Sequence, residues 1–317
     1  MGLAWAPSGI AWVNSMSGHV SELYTGEGAI VRAPVNIPSP TDTIGGLPTG
    51  IIFAGGAGFT LANNAAPNFL FVGVDGVFSG WNGAAGNNAL RIADNSATSA
   101  YTGLTLATWN GSHLLYAANF RAGKIDVWDT TFSPVSLPFH DPGMPSGYSP
   151  FNIQSVGNWL FVTYAKPAPD GRSQAGAGLG LVDVFNPDGS FVRRFASRGT
   201  LNAPWGVVMT PENFLQSPDM SNDDSQKDGN SGHGDKDDLD QPPVILIGNF
   251  GDGRINVFST QVSLWGNYNL ITGPFISMAF GLCLLLPLHQ PSIRKDSISL
   301  QGPADETDGL FGYLIKN

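Results

Sequence analysis

The sequence predicts an all-β fold, and within that class a six-bladed β-propeller whose last blade is incomplete or disrupted. Three observations point there. Hairpin motifs recur at a near-constant spacing, turn residues are abundant while charge is scarce, and the apolar runs are short and rich in Val, Ile, Phe and Trp.

Composition narrows the choice first. The chain has 317 residues, more than one hydrophobic core usually serves, so it must be multidomain, a large barrel, or a repeat array that distributes its core. Charged residues make up only 13%, while 41 Gly and 23 Pro supply turn punctuation that helices do not tolerate. Cys283 is the single cysteine, which excludes an internal disulfide framework and any cysteine-based zinc cluster. A net charge of −10 repels phosphate backbones, so nucleic acid is not an expected partner.

The repeat becomes visible when hairpins are aligned. Ile10 to Val20, Leu115 to Ile125 and Ile245 to Ile255 each read as an apolar strand, an Asn (Asn14, Asn119, Asn249), a Gly four residues later (Gly18, Gly123, Gly253), and an aliphatic residue opening the next strand. Asn closes an Asx-turn with its own side chain, and Gly accepts a positive φ at the far side of the hairpin. The following strand alternates, as in Ile125-Asp126-Val127-Trp128, Val182-Asp183-Val184-Phe185 and Ile255-Asn256-Val257-Phe258. Asp126, Asp183 and Asn256 are expected to face water or to cap a neighbouring blade.

The strand-opening residues Val20, Phe78, Ile125, Val182 and Ile255 are spaced by 58, 47, 57 and 73 residues, and Leu310 follows 55 residues later. Allowing about 25 residues for an insertion in the longest gap leaves about 48, the length of a four-stranded propeller blade. Six anchors predict six blades in one domain spanning residues 1–317. The inner strand of a blade has its own signature in Pro48-Thr49-Gly50-Ile51, Tyr101-Thr102-Gly103-Leu104 and Ala203-Pro204-Trp205-Gly206, with Gly2-Leu3-Ala4-Trp5 as a further copy. A Gly there lets neighbouring backbones converge on the central channel.

Two segments interrupt the repeat. Between Asp219 and Asp240 lie eight Asp and two Lys, so residues from about 217 to 241 read as a disordered acidic insertion. Asp235, Asp237 and Asp238 lack the Gly and Glu of an EF-hand loop. Residues from about 262 to 300 are irregular. The apolar run Phe275 to Leu288 is too short to span a membrane, and no transmembrane segment is expected.

Several of these stretches together resemble an uncharacterised exported propeller family related in pattern to NHL-type repeats, whose members include bacterial proteins with PEP-CTERM sorting tails and fungal proteins. The resemblance rests on Leu115 to Val127, Gly147-Tyr148-Ser149-Pro150-Phe151-Asn152-Ile153-Gln154, Leu201-Asn202-Ala203-Pro204-Trp205-Gly206, Gly248 to Gly253, and Gly302-Pro303-Ala304-Asp305-Glu306-Thr307-Asp308-Gly309-Leu310-Phe311-Gly312. It implies a propeller fold and an extracellular location. Family members begin Asn-Pro-Trp-Gly after an export signal, whereas this chain opens at the Gly, so a truncated amino end is expected. The resemblance carries no catalytic residues.

Candidate site residues follow from the ring. Asn152, Asn202 and Trp205 lie at or near inner-strand starts, where a channel mouth binds ligands, although Trp205 can equally wedge between blades. Asn14, Asn119 and Asn249 recur at hairpins and with Asp252 could present oxygens to a divalent cation such as Ca²⁺; as turn formers they need no ion. His19, His113, His140, His233 and His289 sit in no recognised motif, and no G-x-S-x-G elbow, Walker loop or H-E-x-x-H appears. Asn110-Gly111-Ser112 is a glycosylation sequon. The expected function is a monomeric, non-catalytic binding module for a protein or glycan, with a metal-dependent hydrolase of the lactonase or phosphoesterase type as the second reading.

Overall fold

The computed structural model describes residues 2–212, 214 and 242–260. The acidic insertion, the irregular segment and the sixth anchor Leu310 lie outside the described residues. Within them the chain forms five antiparallel sheets, each a meander in sequence order. Among the described residues the count is therefore five blades where six were expected, the five anchors from Val20 to Ile255 falling in five separate sheets.

Blade one holds β1 (Leu3–Trp5), β2 (Ala11–Ser15), β3 (Val20–Tyr24) and β4 (Val35–Asn36). Blade two holds β5 (Pro48–Phe53), β6 (Phe69–Gly73), β7 (Val77–Trp81) and β8 (Leu90–Asp94). Blade three holds β9 (Tyr101–Trp109), β10 (Ser112–Asn119) and β11 (Lys124–Trp128). Blade four holds β12 (Ser149–Val156), β13 (Trp159–Ala165), β14 (Leu181–Phe185) and β15 (Phe191–Ser197), and blade five β16 (Pro204–Met209), β17 (Val244–Asn249) and β18 (Ile255–Ser259). Among the described residues the helical structure is one 3₁₀ turn, Gly83–Ala85.

The first strand of each sheet is the inner one, and these pack in the order β1, β5, β9, β12, β16. Apolar clusters fill the spaces between consecutive blades. Trp12 stacks on Phe69 with ring centroids 4.1 Å apart between blades one and two. Phe78 packs on Trp128 between two and three, Tyr116 and Ile153 between three and four, and Phe195 on Phe258 between four and five. Among the described residues the sheets of blades two, three and four thus bury both faces against neighbours, and those of blades one and five bury one face each in this way, which distributes the core over consecutive blades.

The inner glycines do what the spacing requires. A Cβ on Gly50 would stand 2.7 Å from the Leu104 Cβ and 2.9 Å from its backbone nitrogen, and one on Gly103 would stand 1.9 Å from the Asn152 amide oxygen. Gly50, Gly103 and Gly206 share one register position, opposite Val72, Ala118 and Gly248. In blade four that position is Asn152, opposite Thr163. A register shift follows Pro48 in β5, Pro150 in β12 and Pro204 in β16, an irregularity of the kind at which a strand tolerates Pro.

Candidate functional site

Asn119, Asn152, Asn202, Trp205 and Asn249 are built into two structural systems, a set of blade clamps and a strut between inner strands. The clamps are clearest in blades three and five. Asn119 Oδ1 accepts from the backbone nitrogens of Ala100 (3.2 Å) and Ala122 (3.1 Å), while its Nδ2 donates to Ser99 Oγ (2.9 Å) and Asp126 Oδ2 (2.8 Å). Asn249 Oδ1 accepts from the Asn202 nitrogen (3.1 Å) and from Asn256 Nδ2 (3.2 Å), and its Nδ2 donates to the Thr200 carbonyl (2.8 Å). Each amide ties the segment entering the blade to that blade's third strand.

The other blades reach the same end by different chemistry. In blade two Gly73 holds the strand-end position, and Asp75 reaches back to accept from the nitrogens of Leu47 (3.0 Å) and Val77 (3.3 Å). Burial raises the Asp75 carboxyl above its usual value, opposed by those backbone donors. In blade four the position is Tyr164, and the tie is ionic: Arg194 on β15 pairs with Asp183 on β14 and with Asp141 in the segment leading to β12. In blade one Ser15 occupies the strand end, and Asn14 lies one residue earlier, so its side chain faces blade two.

Asp183 and Asn256 are accordingly buried, 0% and 6% exposed, rather than turned to water, and Asp126 accepts from Tyr101 (3.2 Å) as well as pairing with Lys124 (2.7 Å). Burial outweighs the Arg194 guanidinium and pushes Asp183 up to about 7, with Asp141 adding repulsion. Tyr164, beside the same carboxylates, is raised well above a normal phenol, mainly by burial.

The strut joins three blades. Asn152 Nδ2 donates to the Trp205 carbonyl at 2.7 Å, and the Trp205 indole donates to the Thr102 carbonyl at 2.8 Å. Asn152 and Trp205 are thus brought together, with both groups buried. Next to them Phe120, Phe151 and Phe250 pack ring to ring, with centroids 5.0 and 5.7 Å apart, beside Ala165 and Ala203. Asn202 belongs to the clamp of blade five, accepting from the Gly176 nitrogen at 2.6 Å. Asp252 caps its own turn by accepting from the Arg254 nitrogen at 3.2 Å.

No group of three or more His, Cys, Asp or Glu that could hold a metal occurs among the described residues. Asn14 is the amide with capacity left over: Nδ2 donates to the Gly50 carbonyl at 3.3 Å, while Oδ1 is buried without a hydrogen-bond partner. Ser21, directly opposite in the sheet, has its hydroxyl in the same condition. No helix among the described residues is long and apolar enough to cross a membrane.

Sequence reasoning passed over Asp141 and Arg194, since residues 53 apart with no shared motif announce no pairing. It also passed over Trp109 and Trp159. Both are large apolar side chains exposed to solvent, 37% and 47% accessible, and both flank two-residue turns of first hairpins, Asn110-Gly111 and Gly157-Asn158. Two-residue turns placed in corresponding strand pairs were the available signal.

No family model matches the sequence. Three uncharacterised proteins of Acanthamoeba polyphaga mimivirus are similar to it, 35% identical over 236 residues, 33% over 217 and 30% over 206. These matches cover 69%, 64% and 61% of this chain but 52%, 46% and 33% of the viral proteins, so the chain spans about half or less of the length of the curated relatives it matches. Among solved structures it is similar to a streptogramin B lyase (15% identity, TM-score 0.43, covering 65% of this chain and 57% of that one). A gluconolactonase from Xanthomonas campestris compares at 17% identity and TM-score 0.40, over 65% and 59% of the two chains. At these values no substrate or catalytic residue passes from those enzymes to this chain.

Proposed function

We propose that the chain is an exported, non-catalytic propeller that presents one face to a protein or glycan outside the cell. One observation carries the reading: the amides of Asn119, Asn152, Asn202 and Asn249 are engaged in clamps and strut, while exposed indoles stand at the tips of the first hairpins of blades three and four. A rigid ring with polar groups turned inward and aromatic groups turned outward suits recognition. The test is binding of purified chain to immobilised cell-wall glycans and to purified surface proteins. A homogeneous preparation that binds nothing and turns over a substrate would sink the reading.

A second reading, a divalent cation serving a hydrolase, is favoured by the buried, unpartnered oxygens of Asn14 and Ser21, which are hard donors of the kind Ca²⁺ takes. Under it, Ca²⁺ raises the unfolding temperature of the native chain and leaves Asn14→Ala unmoved. Unfolding that is the same with and without chelator removes it.

A further inference from the structure

We propose that the first-hairpin tips of blades three and four form a binding rim for a neutral polysaccharide; this rests on the binding-module reading and names its ligand class. Trp109 ends β9 and Trp159 opens β13, and the two hairpins belong to adjacent blades, since β9 packs on β12. Met209, 44% exposed, ends the inner strand of the next blade at the same side of the ring.

Indoles are mostly buried in folded chains, and a single exposed one needs no explanation. Two on neighbouring ridges at one end of the inner strands form a pattern. An indole offers a flat apolar surface at little entropy cost, which matches the C–H face of a pyranose ring. Packed sheets stand about 10 Å apart, so ridges on adjacent blades suit successive units of an oligomer better than one sugar.

Polar chemistry selects among ligands with apolar faces. Asn110 and Asn158 lie in the turns that join these strands, next to Trp109 and Trp159 in sequence. These groups donate to and accept from hydroxyls. The hairpins 101–119 and 149–165 contain no Asp, Glu, Lys or Arg. An anionic polymer finds no counter-charge on this rim, and an uncharged polyol needs none.

The experiment uses the full chain from a host without N-glycosylation, because a glycan on Asn110 would occupy the rim. Binding is measured to cellulose, β-1,3-glucan and mannan, with pectate and heparin as anionic comparators, for native chain, Trp109→Ala and Trp159→Ala. Both side chains are exposed, and an unchanged unfolding midpoint reports an intact ring. The expected result is binding to a neutral polymer that weakens about tenfold per indole removed and is unaffected between about 50 and 500 mM NaCl. Absence of neutral-polymer binding, binding by both variants as tight as that of the native chain, preference for the anionic polymers, or a dimer abolished by the variants would each overturn the glycan assignment. A protein ligand lost in the same variants overturns that assignment while the binding-module reading stands. Catalytic turnover without binding in any arm overturns both.

Discussion

The indole nitrogen of Trp205 donates to the carbonyl oxygen of Thr102 across 103 residues of chain. This bond links blade five to blade three past the intervening inner strand, and Asn152 fills the gap by donating to the Trp205 carbonyl. One residue therefore ties the inner strands of three consecutive blades together, in addition to the apolar packing between them. Trp205→Phe keeps the ring but leaves the Thr102 carbonyl without its donor, which is expected to cost about 1–3 kcal/mol. Trp205→Ala also empties the aromatic cluster and is expected to cost about 3–5 kcal/mol. Urea unfolding of the three proteins checks the order; equal midpoints for native and Trp205→Phe would show that the bond contributes nothing.

Gly103 and Asn152 share a space that holds one side chain. Gly103→Ala drives a methyl group into the Asn152 amide and is expected to destabilise by several kcal/mol, about 1–3 or more for overpacking of this kind. Asn152→Gly in the same chain should return part of that loss and not all, because the Asn152 Cα itself would be 2.9 Å from the new methyl. A double-mutant cycle read by thermal unfolding checks the coupling. Additive effects would mean that the two positions are not in contact.

The repeats that were legible in sequence are those that kept the common chemistry. Asn119 and Asn249 announced their turns through the Gly four residues on, and Gly50 and Gly103 announced inner strands, because each of these positions admits few residue types. Blade four was legible at its third strand and not at its clamp, since Tyr164 replaces the strand-end Asn and Asn152 replaces the inner Gly. Blade one misleads by one position. Asn14 lies beside the strand end held by Ser15, so superposition on the Asn places its side chain on the wrong face. The clamp of Asp141, Arg194 and Asp183 depends on a fold already formed, and no local spacing encodes it.

Asn119 offers a direct comparison of clamp with cation site. Its amide makes four hydrogen bonds inside blade three. Asn119→Ala is expected to lower stability by about 2–4 kcal/mol, since several buried partners lose a bond together. The loss should be the same in chelator and in added Ca²⁺, measured by denaturant midpoint. A deficit that appears only with Ca²⁺ present would place an ion there instead.

Asp183 supplies the pH dependence. Its carboxyl in the fold stands near 7, above the ordinary value of 3.8, so the folded chain binds this proton more tightly than the unfolded chain does. The stabilisation it gives is complete below about pH 4 and is lost as pH rises through about 7. Arg194 and Asp141 face it in the clamp, and Tyr164 stays protonated throughout the window. Asp183→Asn, which keeps an acceptor for Arg194 and cannot ionise, is expected to remove this part of the dependence. Its stability relative to the native chain should therefore improve between pH 5 and pH 8, whatever the other carboxylates do. Thermal unfolding of both proteins across that range checks it, and parallel curves would mean that Asp183 is ionised throughout and held by Arg194 alone.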